Sequence, residues 1–248
     1  MVARLDQAAP VGNLGFLVDD ETVALWTFAE GAGVACSDLA GTVDDLVDDG
    51  DEPAITTAGA WAQAIARDFT DGAFLGVDLA PNPTSALTRD VTIQVICSIP
   101  QDGTTRPTLV VRGAGGAGDP VAFGLELASA TGPTRTLRLY WQDSSGAETV
   151  DAGATFPYPG AAAVVLLTAS RRWESDTRVV CRYYLGGELL GESVAASGAI
   201  GGDTAGTLAI GARFDGATSD RRWASTIDEI KITRHEMRSE ERRVGKEC

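Results

Sequence analysis

Two tryptophans lie in polar, arginine-rich stretches: Trp173 in SRRWESD and Trp223 in SDRRWAS. An indole beside a guanidinium can recognise a sugar. The ring's apolar face stacks on the indole while the hydroxyls take hydrogen bonds from the cation. Trp173 with Arg172 and Trp223 with Arg222 are therefore the candidate ligand-binding residues, expected on loops at one edge of the fold. The competing reading is that both rings cap the end of the core. Trp26, Trp61 and Trp141 read as core or edge packing.

A second concentration of chemistry is acidic. Asp44, Asp45, Asp48, Asp49, Asp51 and Glu52 crowd together around LVDDGDEPAIT. Ca²⁺ takes about six to eight oxygens from converging carboxylates and carbonyls, so Asp44, Asp45, Asp48 and Asp49 are the candidate calcium ligands. The spacing lacks the alternating Asp/Asn and glycine of an EF-hand loop. A solvated acidic loop is the simpler reading.

Catalytic patterns are missing. Glycoside hydrolysis needs two carboxylates flanking one bond. Asp228 and Glu229 are adjacent, so in a strand they point to opposite faces. Asp228 shares parity with Ile230 and Ile232 and is expected to face inward, accepting backbone N–H groups, with Glu229 outward and exposed. The only histidine is His235, so no histidine triad or His-rich metal site can be assembled. Cys36, Cys97 and Cys181 lack a general base, and the loop from Gly113 to Asp119 has no phosphate-binding lysine. The expectation is a protein that is not an enzyme.

Net charge is −15, which repels phosphate backbones and anionic membranes and argues against nucleic-acid partners. No stretch approaches the roughly 20 apolar residues of a membrane span, and LGFLV near the start is too short for a secretory core. Hydrophobic residues make up 44% of the chain, enough for one full core. Cys97 and Cys181 share strand faces with aliphatic residues and read as buried packing. A bridge between them would require neighbouring strands.

The elements that must position these residues are strands. VTIQVICSI carries Val91, Ile93, Val95, Cys97 and Ile99 on one face. In VAFGLEL, Phe123, Leu125 and Leu127 face in while Gly124 and Glu126 face out. In TLRLYW, Leu137, Leu139 and Trp141 oppose Thr136, Arg138 and Tyr140. AVVLLTA (163–169) is apolar on both faces and reads as a covered central strand. Gly186-Gly187 and Asp71-Gly72 signal hairpin turns. No segment keeps helical periodicity over three turns. Short alternating strands with turn signals predict an all-β sandwich.

The ends of this pattern carry a resemblance. Thr22–Gly33 reads TVALWTFAEGAG and Thr226–Arg234 reads TIDEIKITR. They resemble the opening "LWxFDEGxG" and closing "IDEVRIY" strands of the laminin-G-like branch of the concanavalin A-like lectin/glucanase superfamily. RVVCRYYLGGELLGE and LAIGARFDG are similar to that family's internal motifs, although its tryptophan is missing from VTIQVICSI. The resemblance implies an antiparallel two-sheet jelly roll with its first and last strands close together. It also implies a non-catalytic module that binds a glycan or a protein surface, with Ca²⁺ as a candidate cofactor in an edge loop. The competing class is a structural component of a phage particle, with virion assembly partners, and an inactive glycosidase relative ranks third. Relatives on cell surfaces carry a signal, so the expected location is a virion or an extracellular surface.

Residues 238–248, RSEERRVGKEC, resemble an in-frame translation of a short-read sequencing adapter. The expected division is an extension or edge segment over 1–21, the jelly roll over 22–237, and a non-native tail that truncates the natural chain.

Overall fold

The computed structural model describes residues 15–28, 30, 36–41, 46–48, 54–56, 66–69, 75–79, 87, 89–101, 106–113, 122–128, 132–142, 148–161, 163–175, 177–195, 206–213 and 221–234. Among these, every regular element is a strand. They are β1 (Thr22–Trp26), β2 (Val47–Asp48), β3 (Ala54–Thr56), β4 (Ala66–Asp68), β5 (Leu75–Leu79), β6 (Val91–Ser98), β7 (Thr108–Arg112) and β8 (Phe123–Leu127). The second half supplies β9 (Thr134–Gln142), β10 (Glu148–Val150), β11 (Ala154–Pro157), β12 (Val164–Ser175), β13 (Arg178–Leu185), β14 (Glu188–Ala195), β15 (Gly206–Ile210) and β16 (Thr226–Thr233).

They form two antiparallel sheets of eight strands each. One runs β14-β13-β12-β6-β16-β4-β3, with β1 also paired to β16; the other runs β10-β9-β8-β7-β15-β5-β2, with β11 also paired to β9. Strand β16 takes β6 along one side. Along the other, β4 covers Thr226 and Ile227, and β1 covers Ile230 to Thr233. The opening and closing segments therefore pair directly.

Alternation fills the space between the sheets as the sequence predicts. Val91, Ile93, Val95 and Cys97 of β6 meet Phe123, Leu125 and Leu127 of β8 and Leu137, Leu139 and Trp141 of β9 in one buried cluster. Trp26 and Trp141 are fully buried, while Trp61 lies outside the described residues. Strand β12 is central, between β13 and β6. It separates Cys97 from Cys181, so the two cannot bridge, and Cys36, Cys97 and Cys181 are all free and buried. Burial raises the Cys97 and Cys181 thiols well above their ordinary range, so neither is a ready nucleophile. At the β13–β14 turn Gly186 and Gly187 both have positive φ, 58° and 82°, as the favoured two-residue hairpin turn requires.

Inward positions near strand ends are arginines. Arg67, Arg112, Arg135 and Arg171 are each less than 2% exposed and pair in register with core residues Ile227, Phe123, Phe156 and Cys181. Arg135 donates to the carbonyls of Gly132, Thr134, Pro100 and Gln101 and stacks 4.2 Å from the Tyr158 ring centroid. A guanidinium can close an apolar layer in this way because it is planar and weakly hydrated.

One expectation is overturned in β16. Strand parity puts Glu229 outward and exposed, yet it is fully buried. A bulge falls at Asp228, between the register pairs of Ile227 and Glu229, so Ile227, Ile230 and Ile232 all face the core. The outward Glu229 and Lys231 are covered by residues 15–21. Phe16 N–H donates to Glu229 Oε2 at 2.8 Å, and Lys231 Nζ donates to the Leu17 carbonyl at 2.7 Å and to Asp19 Oδ2 at 2.6 Å. At Gly15 a Cβ would lie 2.6 Å from Glu229 Oε1, so any larger residue there would have to displace the Glu229 carboxylate.

Asp19 supplies a pH test of this strap. Burial alone would raise its pKa; the hydrogen bond from Lys231, with help from Thr22, outweighs burial and holds it below the ordinary 3.8. A lowered carboxylate pKa stabilises the folded state above the unfolded value and loses that effect as pH falls through the folded value. Asp19→Asn should thus lower the melting temperature at neutral pH, and the difference should vanish as pH drops below the ordinary carboxylate range. Solvent exposure keeps the effect within about 1 kcal/mol. A difference constant across that range would show that the carboxylate charge does not act.

Candidate recognition site

The inward column of β12 runs Leu167, Ala169, Arg171, Trp173, so aliphatic packing gives way to a cation and then an indole at the strand tip. Arg171 lies 4.8 Å from the Trp141 ring centroid and donates to the Arg89 carbonyl. Burial draws its pKa down to about 10, against the pull of nearby Cys181 and Asp90, so it remains cationic at neutral pH. Trp173 pairs in register with core residue Val179 and is half-buried. Its backbone N–H donates to Asp90 Oδ1 at 2.9 Å, and the exposed Arg89 places its guanidinium 4.4 Å over the indole centroid. Arg172 points to the opposite face of the sheet, 45% exposed, and pairs with Glu174 at 2.9 Å. Glu174 also holds Arg178 at 2.5 Å. The result is an open rim at the Arg89–Trp173 stack, with Arg172, Glu174 and Arg178 ion-paired to one another on the other face of the sheet.

Trp223 is elsewhere and cannot share this rim. It is fully buried, its N–H donates to the Gly211 carbonyl at 2.7 Å, and its ring belongs to the core. Register separates the two tryptophans. Trp173 lies past the β6 start, where Arg171 meets Val91, whereas Trp223 precedes β16, whose Ile227 meets Cys97 near the β6 end. The length of β6 between them is roughly 24 Å. Trp223 caps the core, and half-buried Arg222 beside it has no exposed indole to work with. The expected exposure of Trp223 is thus corrected.

Sequence reasoning missed a further cluster on the outward face of the second sheet. Tyr140 lies over Gly124, where any Cβ would run into the phenol ring, and the Arg213 guanidinium stacks 4.7 Å from its centroid. Arg213 pairs with Glu148 at 2.7 Å, while Arg138 and Arg221 pair with the buried Glu126 at 2.5 Å and 3.5 Å. Tyr140 is fully buried, and burial pushes its phenol well above the ordinary range. This face is closed and its carboxylates are held by arginines. Glu126 and Glu148 flank β9 opposite Arg138 and Gln142, which sets their Cα atoms roughly 16 Å apart.

Asp44, Asp45 and Asp49 lie outside the described residues, as does the side chain of Asp48, whose backbone pairs with Leu75. Among the described residues no three acidic, His or Cys side chains gather into a metal-binding group, and no helix is long and apolar enough to cross a membrane.

A sequence model of the laminin-G type, described as the concanavalin A-like lectin/glucanases superfamily, matches residues 71–241, more than half of the chain. The chain belongs to this superfamily. No curated protein matches it in sequence. Among solved structures, this concanavalin A-like fold is similar to the receptor-binding domain of botulinum neurotoxin C/D mosaic serotype, at 13% identity and TM-score 0.60, covering 92% of this chain and 51% of that one. It is similar to domain 4 of a GH43 extracellular arabinanase from Geobacillus stearothermophilus, in complex with arabinotriose, at 14% identity and TM-score 0.58, covering 90% and 96%. A third similar structure is a botulinum neurotoxin type C chain, whose cell entry depends on interaction with two ganglioside molecules, at 12% identity and TM-score 0.58, covering 91% and 50%. The chain spans about half the length of the toxin chains and nearly all of the arabinanase domain. At these identities the likeness shows the fold.

Proposed function

We propose that this concanavalin A-like domain is a non-catalytic carbohydrate-recognition module and that it binds its glycan at the tip of β12, on the Arg89–Trp173 stack. The observation that carries the reading is the exposed Arg89 guanidinium seated 4.4 Å over half-buried Trp173. Arg89 occupies the indole face, so the sugar meets the guanidinium plane, with the ring beneath fixing its position. The N–H groups of Arg89 donate to its hydroxyls. Arabinotriose and gangliosides, named for similar structures, are saccharide ligands of the same class.

Absence of turnover is supported by the carboxylates. Glu126 and Glu148 are both held in ion pairs by arginines, and no second carboxylate is paired with either of them among the described residues. A glycan array followed by calorimetry on the best glycan tests both parts. Binding should be lost in Arg89→Ala and kept in Arg172→Ala, and Trp173→Ala should cost about 2 kcal/mol or more if the indole anchors the platform. Trp223→Phe should leave affinity unchanged. Binding that survives Arg89→Ala with Trp173→Ala would remove the site, and released reducing sugar would remove the non-catalytic claim.

A further inference from the structure

An unpaired strand edge is a template for another chain, and folded proteins ordinarily shorten or cover such edges. Most edges among the described residues follow that rule. Strand β3 has three residues, β2 two and β10 three, while β11 has four and ends in Pro157. The free side of β1 is capped, since Asp38 Oδ1 accepts the Leu25 N–H at 2.8 Å and the Leu25 carbonyl accepts from Leu39 N–H at 2.8 Å.

Strand β14 is the exception. It runs eight residues, Glu188–Ala195, at the end of its sheet, and contains neither proline nor lysine. Two of the largest exposed apolar side chains of the molecule, Leu189 at 50% and Val194 at 52%, lie on it. In a regular strand these residues would face opposite sides. A bulge opposite Tyr183 and Tyr184 changes that, because Leu189 pairs with Tyr184, Glu192 with Arg182 and Val194 with Val180. All three thus share the outward face.

We infer that β14 is the dimerisation edge, joining antiparallel to β14 of a second copy across a two-fold axis through Glu192. With the bulged Leu190–Gly191 counted as one place, Leu189 and Val194 stand two places either side of Glu192. Antiparallel pairing about Glu192 therefore sets each Leu189 opposite Val194 of the second copy, an apolar pair on one face. The same symmetry brings two Glu192 carboxylates together, which would repel unless neutralised. Each already carries its own counterion, Arg182 Nε at 2.7 Å. The inward side is closed, with Ser193 held by Asp151 at 2.7 Å, so the new contact is made by the backbone edge and the outward side chains.

Sedimentation of the full chain tests this. A dimer is expected in the micromolar range. Leu189→Lys and Val194→Lys should each give monomer with an unchanged melting temperature, because both side chains are already exposed. Arg182→Gln should raise the dissociation constant about tenfold or more by leaving two facing carboxylates, and adding Glu192→Gln to that variant should restore the dimer. A monomer throughout that range, a dimer that survives both lysine substitutions, or an Arg182→Gln defect that Glu192→Gln does not repair would each overturn the proposal. Glycan affinity per chain is measured separately, because Trp173 at the tip of β12 is level, through Val179 of β13, with Ala195 at the end of β14.

Discussion

Ile230→Asp is expected to leave no cooperatively folded domain at room temperature. Ile230 is fully buried in β16, between Val95 of β6 and Trp26 of β1. Replacing it removes an aliphatic side chain from a core, which costs roughly 2–5 kcal/mol. It also places a carboxyl where no donor waits, at a further cost of about 2 kcal/mol or more. The sum rivals the roughly 5–15 kcal/mol by which a domain is stable. A circular-dichroism melt checks this, and a transition within a few degrees of wild type would refute the assignment. The neighbouring Glu229→Ala is expected to cost about 1–3 kcal/mol, because it orphans the Phe16 N–H beneath the strap.

Asp151→Ala should be nearly as damaging. Asp151 is 4% exposed, in the β10–β11 connection of one sheet, and it gathers donors from both. Tyr183 of β13 donates its hydroxyl to Oδ2 at 2.5 Å, Ser193 of β14 donates to Oδ1 at 2.7 Å, and Gly153 N–H donates to Oδ2 at 2.8 Å. Tyr183 also accepts the Leu139 N–H at 3.1 Å, so the phenol spans the two layers. Burial and the Asp151 charge both raise its pKa well above the ordinary range, so it stays a donor at all physiological pH. Removing the carboxylate strands these donors at once, and each buried unsatisfied group costs roughly 1–3 kcal/mol. A loss of about 3–5 kcal/mol is expected in denaturant unfolding, with Asp151→Asn milder because an amide oxygen still accepts. Equal stability of Asp151→Ala and wild type would show that the knot does not couple the sheets.

The two-sheet architecture is legible because alternation is a local signal. The inward sets of β6, β8 and β9 follow from parity alone, and the pairing of β1 with β16 follows from motif resemblance. What parity cannot supply is coverage by distant chain. Glu229 has the polarity of a solvent-facing residue, and its burial comes from a segment 213 positions away in sequence. Trp223 has charged sequence neighbours, but a short irregular stretch anchored on Gly211 turns its ring inward while Arg221 reaches Glu126. Trp173 keeps strand parity to its end, so its inward direction was readable. Arg89, on a different segment, was not, because only tertiary structure sets it over the indole.

The position of β16 also shapes how the molecule is made. A ribosome delivers β6 long before β16, yet β16 is the strand that lies between β6 and β1. Until residues 226–233 emerge, β6 lacks one neighbour and β1 has no partner among the described strands. A nascent chain therefore carries an open apolar slot until β16 emerges, and closes it by contacts far apart in sequence. Such non-local closure folds slowly and exposes aggregation-prone edges meanwhile. Emergence of β16, rather than of any early hairpin, is the step at which this sandwich becomes native.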